Sequence, residues 1–474
     1  MNLTNLLDYS NSIYGLGEKI NRIERDNVKC DTKAPTVLKM LICGIFTGAD
    51  SLNIMQHMYA DKEKLRKSLF EKKEFIPKMT ATRDCINDVD VNKITNIHYS
   101  MLNDMKANKV FENHKYRNTR VAIVDGVESF ETHKTIEGLH KREHTDGSVG
   151  YYYKSLGISY LTDDFSIMLD LVPFRKNEMK DLKGDNDKIK SEGEITVLKR
   201  SIPILTEYKI EMAVMDAMFL NAPCLNAIKK ENIEAVIRLK DERRSIYKDA
   251  KGLFDTTEAI KEYEIIEVKE RKIIKYSKDS KKRNTDETET YIYTRDVTSS
   301  TLNKPTVKSN KTVEHPKKTV TKKVTEKVIK RVEVWSDIFQ LDGYNYNNGY
   351  VRVIKTRETV IESNHEKSKE MYLVTTKLEE DLEFIIDLMH KRWTIELNCF
   401  RTLKSRYNMD HLYVGTNRAI QIITYLIMIV FNLIELYFNV HTRKYKKKIN
   451  FKYILQNFKE ELLSSEEFYK LFIT

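Results

Sequence analysis

Residues 419–438, AIQIITYLIMIVFNLIELYF, constrain this chain before anything else does. As a helix, such a run nearly spans the hydrocarbon of a bilayer. Gln421, Asn432 and Glu435 interrupt it, and an ionisable side chain near a bilayer centre is costly. The reading is therefore a helix buried in a large globular core. A chain of 474 residues, 41% hydrophobic and 32% charged, can supply that core and is long enough for roughly two to four domains.

The pattern changes along the chain. Residues 1–115 read as helical, with apolar residues at three-to-four spacing in TVLKMLICGIFTG (36–48) and DVNKITNIHYSMLNDMKAN (90–108). FIPKMTATRDCIND (75–88) reads as a loop into a capped helix. This part is either a DNA-binding domain or a helical scaffold, and periodicity does not choose between them. From residue 120 strands take over. RVAIVDG (120–126) is a β-branched run closed by Asp-Gly, and SLGISYL (155–161) with FSIMLDLVPF (165–174) flanks TDD as a hairpin. Residues 187–208 read mainly as helix. EMAVMDAMF (211–219) is a strand ending at Asp216, NAPCLNAIKKEN (221–232) a helix with proline near its start, and EAVIRLKD (234–241) a further strand. Strand, hairpin, helix, strand, helix, strand is the order of a ribonuclease H-like α/β core. The expected organisation is a helical N-terminal domain (1–115), a mixed-sheet core in two parts (116–241 and 346–440), a β-rich basic insertion (242–345) and a basic tail (441–474).

The insertion contains KPTVKSNKTVEHPKKTVTKKVTEKVIKR (304–331), with ten Lys or Arg against two Glu. Such a run is either solvated chain or a DNA-facing loop. Strand-like YVRVIKTRETVIES (350–363) and EMYLVTTKL (370–378) follow, then a helix over 380–406 and the apolar helix over 417–438. The formal net charge of +11 suits a phosphate-rich partner. Five cysteines (Cys30, Cys43, Cys85, Cys224, Cys399) form no CxxC pair, so no zinc knuckle or disulfide framework is indicated. With no signal-peptide pattern in MNLTNLLDYSNSIYG, the expectation is a reducing, cytoplasmic setting, associated with the nucleoid.

Three carboxylates stand out by placement. Asp125 follows VAIV, Asp216 follows MAVM, and Glu396 lies in the amphipathic stretch KRWTIELNCFRTLKSRY (391–407) among Lys391, Arg392, Arg401, Lys404 and Arg406. Two strand-end aspartates and a helix glutamate can converge at one end of an α/β sheet. Hard cations such as Mg²⁺ take oxygen ligands, and a pair about 3.5–4 Å apart clamps the attacking and leaving oxygens of phosphoryl transfer. Water or a DNA 3′-OH then attacks, with no protein nucleophile. Taken singly, each acid has a plainer reading: a turn or surface aspartate, or a helix salt bridge from Glu396 to Arg392. Trp393 is expected to pack its helix onto the sheet. His133, His140 and His144 read as surface residues, with Arg142 near phosphate.

Three blocks resemble the DDE transposases of bacterial insertion sequences, in the branch with a β-rich insertion between the second Asp and the Glu. They are VAIVDGVESF (121–130), MAVMDAMFLNAPCLNAIKKENIEAVIRLKD (212–241), and YVRVIKTRET through EMYLVTTKL to KRWTIELNCFRTLKSRYNMDHL (350–412). The resemblance implies a ribonuclease H-like fold and two Mg²⁺ or Mn²⁺ ions held by Asp125, Asp216 and Glu396. It also implies cleavage at transposon terminal inverted repeats, strand transfer into target DNA, and a homodimer on paired ends. The expected DNA contacts fall on Arg392, Lys404, Arg401, Arg142 and Lys240. Relatives with this insertion can place an aromatic against a flipped base, which Trp335 could do, although a plain core or edge-strand residue is the simpler reading of it. The third block departs from the family pattern Tyr-x2-Arg-x3-Glu-x6-Lys. Met389 stands at the Tyr position, and Lys404 comes one residue late, behind Leu403. On a regular helix that turns Lys404 about 80° from the face of Glu396, unless a local bulge restores it.

Three rivals share parts of this pattern. A metal-dependent nuclease would use the same triad without strand transfer. A non-catalytic DNA-binding descendant would have no use for an intact triad. An RNA-binding protein would carry an RNP-type aromatic strand or a GXXG clamp, and neither is visible.

Overall fold

The structure is a computed structural model and describes residues 3–26, 32–60, 77–179, 188–274, 286–296, 306–308, 321–362, 365–395, 399–442 and 451–464. It opens with helices α1 (Leu3–Tyr14), α2 (Leu16–Asn21), α3 (Ala34–Phe46), α4 (Leu52–Ala60), α5 (Met79–Asp88), α6 (Val91–Ala107) and α7 (Val110–Asn113). Strands β1 (Val121–Thr132), β2 (His140–Glu143), β3 (Val149–Leu161), β4 (Ser166–Pro173), β5 (Lys176–Met179) and β6 (Lys188–Ser191) follow. Then come α8 (Glu194–Glu207), β7 (Met212–Met215), α9 (Ala222–Lys230), β8 (Glu234–Leu239) and α10 (Ser245–Phe254). The long strands are β9 (Lys261–Ile274), β10 (Asp286–Asp296), β11 (Thr306–Lys308), β12 (Thr321–Gln340), β13 (Tyr350–Glu362) and β14 (His365–Thr375). Helices α11 (Leu382–Ile395), α12 (Arg401–Arg406), α13 (Asn417–Leu436) and α14 (Phe451–Ser464) end the described chain.

The chain divides into two compact units. Met1–Phe219, Ala227–Glu234 and Asp387–Thr474 make the first, and Leu220–Asn226 with Ala235–Ile386 the second.

In the first unit the apolar run is α13. It is long and apolar enough to cross a membrane by length and composition, yet 89% of its most apolar window is buried within the protein. It packs against α1, α3, α5, α6, α12 and β4, so helices from both ends of the sequence share one core. The polar residues that interrupt it have structural partners. Asn432 clamps the backbone of Met168 on β4: its Oδ1 accepts from the Met168 N–H at 2.8 Å and its Nδ2 donates to the Met168 carbonyl at 2.8 Å. Beside it, the buried carboxylate of Asp170 accepts from Tyr99 at 2.6 Å and Tyr425 at 3.0 Å. Burial pushes the Glu435 carboxyl up to about 7, against the opposing pull of Arg406 and a hydrogen bond from Asn439.

The sheet of this unit runs β7-β1-β3, with β2 and β4 both paired to β3. β1 and β7 are parallel, and the other pairings are antiparallel. This is the mixed sheet of a ribonuclease H-like core. The turn expected at Asp125-Gly126 is not there: β1 continues to Thr132. Its partner β3 decides this, pairing Asp125 with Gly157, Gly126 with Leu156 and Val127 with Ser155, while Val127 and Phe130 are buried. The helix expected after a loop within 75–88 begins at Met79, but its cap residue Lys78 makes no side-chain cap. A capping side chain is found instead at α6, where Asp90 accepts from the Asn92 N–H at 3.0 Å.

The second unit is an antiparallel sheet in the order β11-β10-β9-β12-β13-β14-β8. The basic run 304–331 is therefore not simply loop: residues 306–308 and 321–331 are strand, and the intervening residues lie outside those described. Cross-strand glutamates balance two of its cations, Lys330 with Glu358 at 2.7 Å and Arg331 with Glu264 at 3.5 Å. Trp335, Lys355 and Tyr372 form a row across β12, β13 and β14. The Lys355 ammonium lies 5.0 Å from the Trp335 ring and 5.6 Å from that of Tyr372, and pairs with Asp255 at 2.9 Å. Arg357 stands 5.1 Å from the same indole, whose N–H donates to the Thr257 carbonyl at 3.0 Å. With 5% of its surface exposed, Trp335 is closed to a stacking base in this arrangement.

Two stability predictions follow from these contacts. Asn432→Leu leaves two buried backbone groups of β4 without partners and should cost about 2–4 kcal/mol, read as a lower midpoint in urea unfolding. Trp335→Ala should cost about 3–5 kcal/mol through the cavity it opens. Trp335→Phe should recover most of that loss, and unchanged melting of the Ala variant would remove the packing role.

Candidate active site

Parallel pairing sets the site. Val121 to Val124 of β1 lie opposite Met212 to Met215 of β7. Asp125 and Asp216 are the next residues on each side, so the two carboxylates leave neighbouring strands at the same level. Beyond Asp216 the chain turns into a short 3₁₀ segment, Ala217–Phe219, whereas β1 runs on.

Arg392, on α11, reaches both acids. Its Nη1 donates to Asp125 Oδ2 at 2.6 Å, and its Nη2 stands 3.7 Å from Asp216 Oδ1. The arginine side chain is 4% exposed, that of Asp125 15% and that of Asp216 24%. The other Asp125 oxygen accepts from the Gly126 N–H at 2.8 Å. The site is thus a buried cation with two carboxylates, the second of them more open to solvent.

Contacts beside β1 hold the helix that carries Arg392 and, further along the chain, Phe400. Before β1, the Tyr116 hydroxyl donates to Asp387 of α11, and Arg117 pairs with the same carboxylate at 3.0 Å. Further along, Gly157 lies directly opposite Asp125 on β3. A Cβ there would stand 2.5 Å from the Phe400 ring, so only glycine admits that ring. Opposed residues of a sheet share a face, and Phe400 therefore packs on the face to which Asp125 points. Cys399 follows suit, its Sγ 3.6 Å from Ser159 Oγ. Burial pushes the Cys399 thiol up to about 12, so it stays protonated and offers no thiolate.

Glu396 lies outside the described residues, as do its neighbours 397 and 398. Cys399 and Phe400 form a π-type turn ahead of α12. Lys404 is half-buried and Arg401 exposed on α12, while Met389 is buried within α11. Trp393 is 37% exposed and is not the packing residue expected of it, because Met389 and Arg392 take the buried side of its helix.

The remaining predicted residues have other surroundings. Arg142 is held by Glu128 at 2.7 Å and by Glu131 at 3.5 Å, and lies 4.4 Å from the Tyr152 ring. His144 meets Glu131 at 2.5 Å, and His133 is exposed. His140 is buried rather than superficial: pairing of β2 with β3 sets it opposite Tyr152, with the Phe174 ring 6.1 Å away. Lys240, exposed, and Trp335 belong to the second unit. The salt bridges from Arg392 to both aspartates escaped the sequence reading, which paired it with Glu396 or phosphate. A glycine inside the apolar strand SLGISYL was the one local signal of close approach at Gly157.

The donors gathered here are carboxylates alone, the oxygen chemistry that Mg²⁺ or Mn²⁺ takes. Among the described residues no group of three His, Cys, Asp or Glu is assembled.

Comparison with known proteins accords with this arrangement. The family described as Transposase DDE domain matches residues 189–433, more than half of the chain. The match begins beyond Asp125 and takes in Asp216, Arg392 and Glu396. No curated protein matches the chain. A mixed-sheet core with two level aspartates on neighbouring strands and a family match of this extent lead to one conclusion: the chain belongs to the transposase DDE-domain family.

Proposed function

We propose that this protein is a DNA transposase whose metal-binding triad is Asp125, Asp216 and Glu396, and that it cleaves transposon ends and transfers the freed strand to target DNA. Family membership makes DNA the substrate class and divalent metal the general cofactor. One observation carries the assignment of Glu396. Arg392, four residues before it, is bonded to Asp125, and Phe400, four residues after it, packs on Gly157, the register partner of Asp125. Both flanks of the glutamate are thus tied to the first aspartate.

Two Mg²⁺ or Mn²⁺ ions bound by these carboxylates would supply Lewis-acid stabilisation of the phosphoryl transfer and activate the attacking oxygen. The chain's own residues do the positioning. β1 and β7 hold the two aspartates level, and Arg392 orients them from α11. The Phe400–Gly157 contact shields the sheet side of the site from water. Arg401 and Lys404, beyond the π-type turn, offer cations to the DNA backbone. The basic strand residues of 304–331 add a sequence-independent hold on DNA, and a homodimer brings two ends together.

The test uses labelled end DNA with Mg²⁺. Asp125→Asn, Asp216→Asn and Glu396→Gln should each lower cleavage on the order of a thousandfold, the rate equivalent of several kcal/mol, while end binding stays nearly intact. Chelation with EDTA should stop the wild type. Near-normal cleavage by Glu396→Gln would reject its role. Cleavage without joining to a target plasmid would identify a nuclease instead.

A further inference from the structure

We propose that Arg392 is the resident counter-cation of the acidic pair, keeping Asp125 and Asp216 closed to divalent metal until DNA phosphate competes for its guanidinium. The inference rests on the metal-site reading above and concerns how that site is filled.

Charge at the site gives the reason. With Glu396, which the metal-site reading adds, three carboxylates and one guanidinium leave a net charge of −2. One divalent ion would make it neutral but must compete with the guanidinium for the carboxylate oxygens it already bonds, and a second would make it +2. The guanidinium is 4% exposed, so solvent screens it poorly from an arriving cation. DNA changes the balance twice. Each phosphodiester brings a negative charge, and its two oxygens match the planar fork of arginine as well as a carboxylate does. A guanidinium drawn toward phosphate releases carboxylate oxygens for metal. The geometry also gives an order. Arg392 is close to Asp125 at 2.6 Å and looser on Asp216 at 3.7 Å, and Asp216 is the more exposed acid. Asp216 is therefore freed first, and metal enters from its side. Metal and DNA then help each other bind, as linkage requires.

The experiment measures Mn²⁺ binding to the full chain without DNA, by electron paramagnetic resonance of the free ion and by the Mn²⁺-dependent shift in melting temperature. The wild type should bind weakly. Arg392→Gln should bind Mn²⁺ at least tenfold more tightly, and its melting temperature should respond to Mn²⁺ where that of the wild type does not. Arg392→Met, whose unbranched chain fills the buried path without charge, carries the same expectation should the Gln variant fail to fold. Arg392→Lys keeps a cation and should stay near the wild type. If folded Gln or Met variants bind Mn²⁺ no more tightly than the wild type, the counter-cation role is overturned. Adding Asp125→Asn or Asp216→Asn to Arg392→Gln should abolish the gain. If the gain survives both, the acidic pair is not the metal site, and it is the functional reading that fails.

Discussion

Burial of the apolar helix α13 organises the first unit. A twenty-residue, mostly apolar helix must be removed from water, and no single partner can cover it. The chain meets this with helices from its N-terminal part, a strand of the central sheet and the short helix α12 beyond Phe400. Segments far apart in sequence are thereby fixed around one rod. The active-site region inherits its rigidity from this core, because β4 lies on α13 and β3, the partner of β1, lies on β4.

The acidic pair shows how a ribonuclease H-like sheet places charge without burying it alone. Parallel pairing of β1 with β7 brings Asp125 and Asp216 to one level, where two like charges would repel. A guanidinium between them removes that repulsion and ties α11 to the sheet. The same helix is held a second time through Asp387, by Tyr116 and Arg117 just ahead of β1. Two attachments about five residues apart, more than one helical turn, fix both the position of the helix and its rotation.

Much of this was legible in the sequence where local pattern decides. The apolar run, the order of strands and helices, and the end of a strand at Asp216 all report on nearest neighbours in the chain. What escaped depends on distant partners. Asp-Gly after VAIV carries a turn signal, but a long β3 keeps β1 extended past it. His140 looks like a surface residue in a charged segment, yet pairing with β3 buries it. The basic run reads as solvated or DNA-facing loop because lysines mask its strand periodicity, and antiparallel partners on both sides of β12 make its residues 321–331 sheet. Arg392 could be seen beside Glu396, but nothing local announced that two aspartates from separate strands would meet its guanidinium.

The Asn432 clamp on β4 has a further consequence. Among the described residues β4 pairs with β3 alone, and a strand with one open side presents backbone donors and acceptors on which a second chain can build. At Met168 both groups are already taken by one amide side chain. Close by, His98 from α6 bonds the Leu169 carbonyl at 2.9 Å. Side chains from two helices thus cap the rim of the sheet in the way a further strand would, without its length. An open strand edge exposes a protein to strand-swapped aggregation, and here the safeguard is built from single amide and imidazole groups.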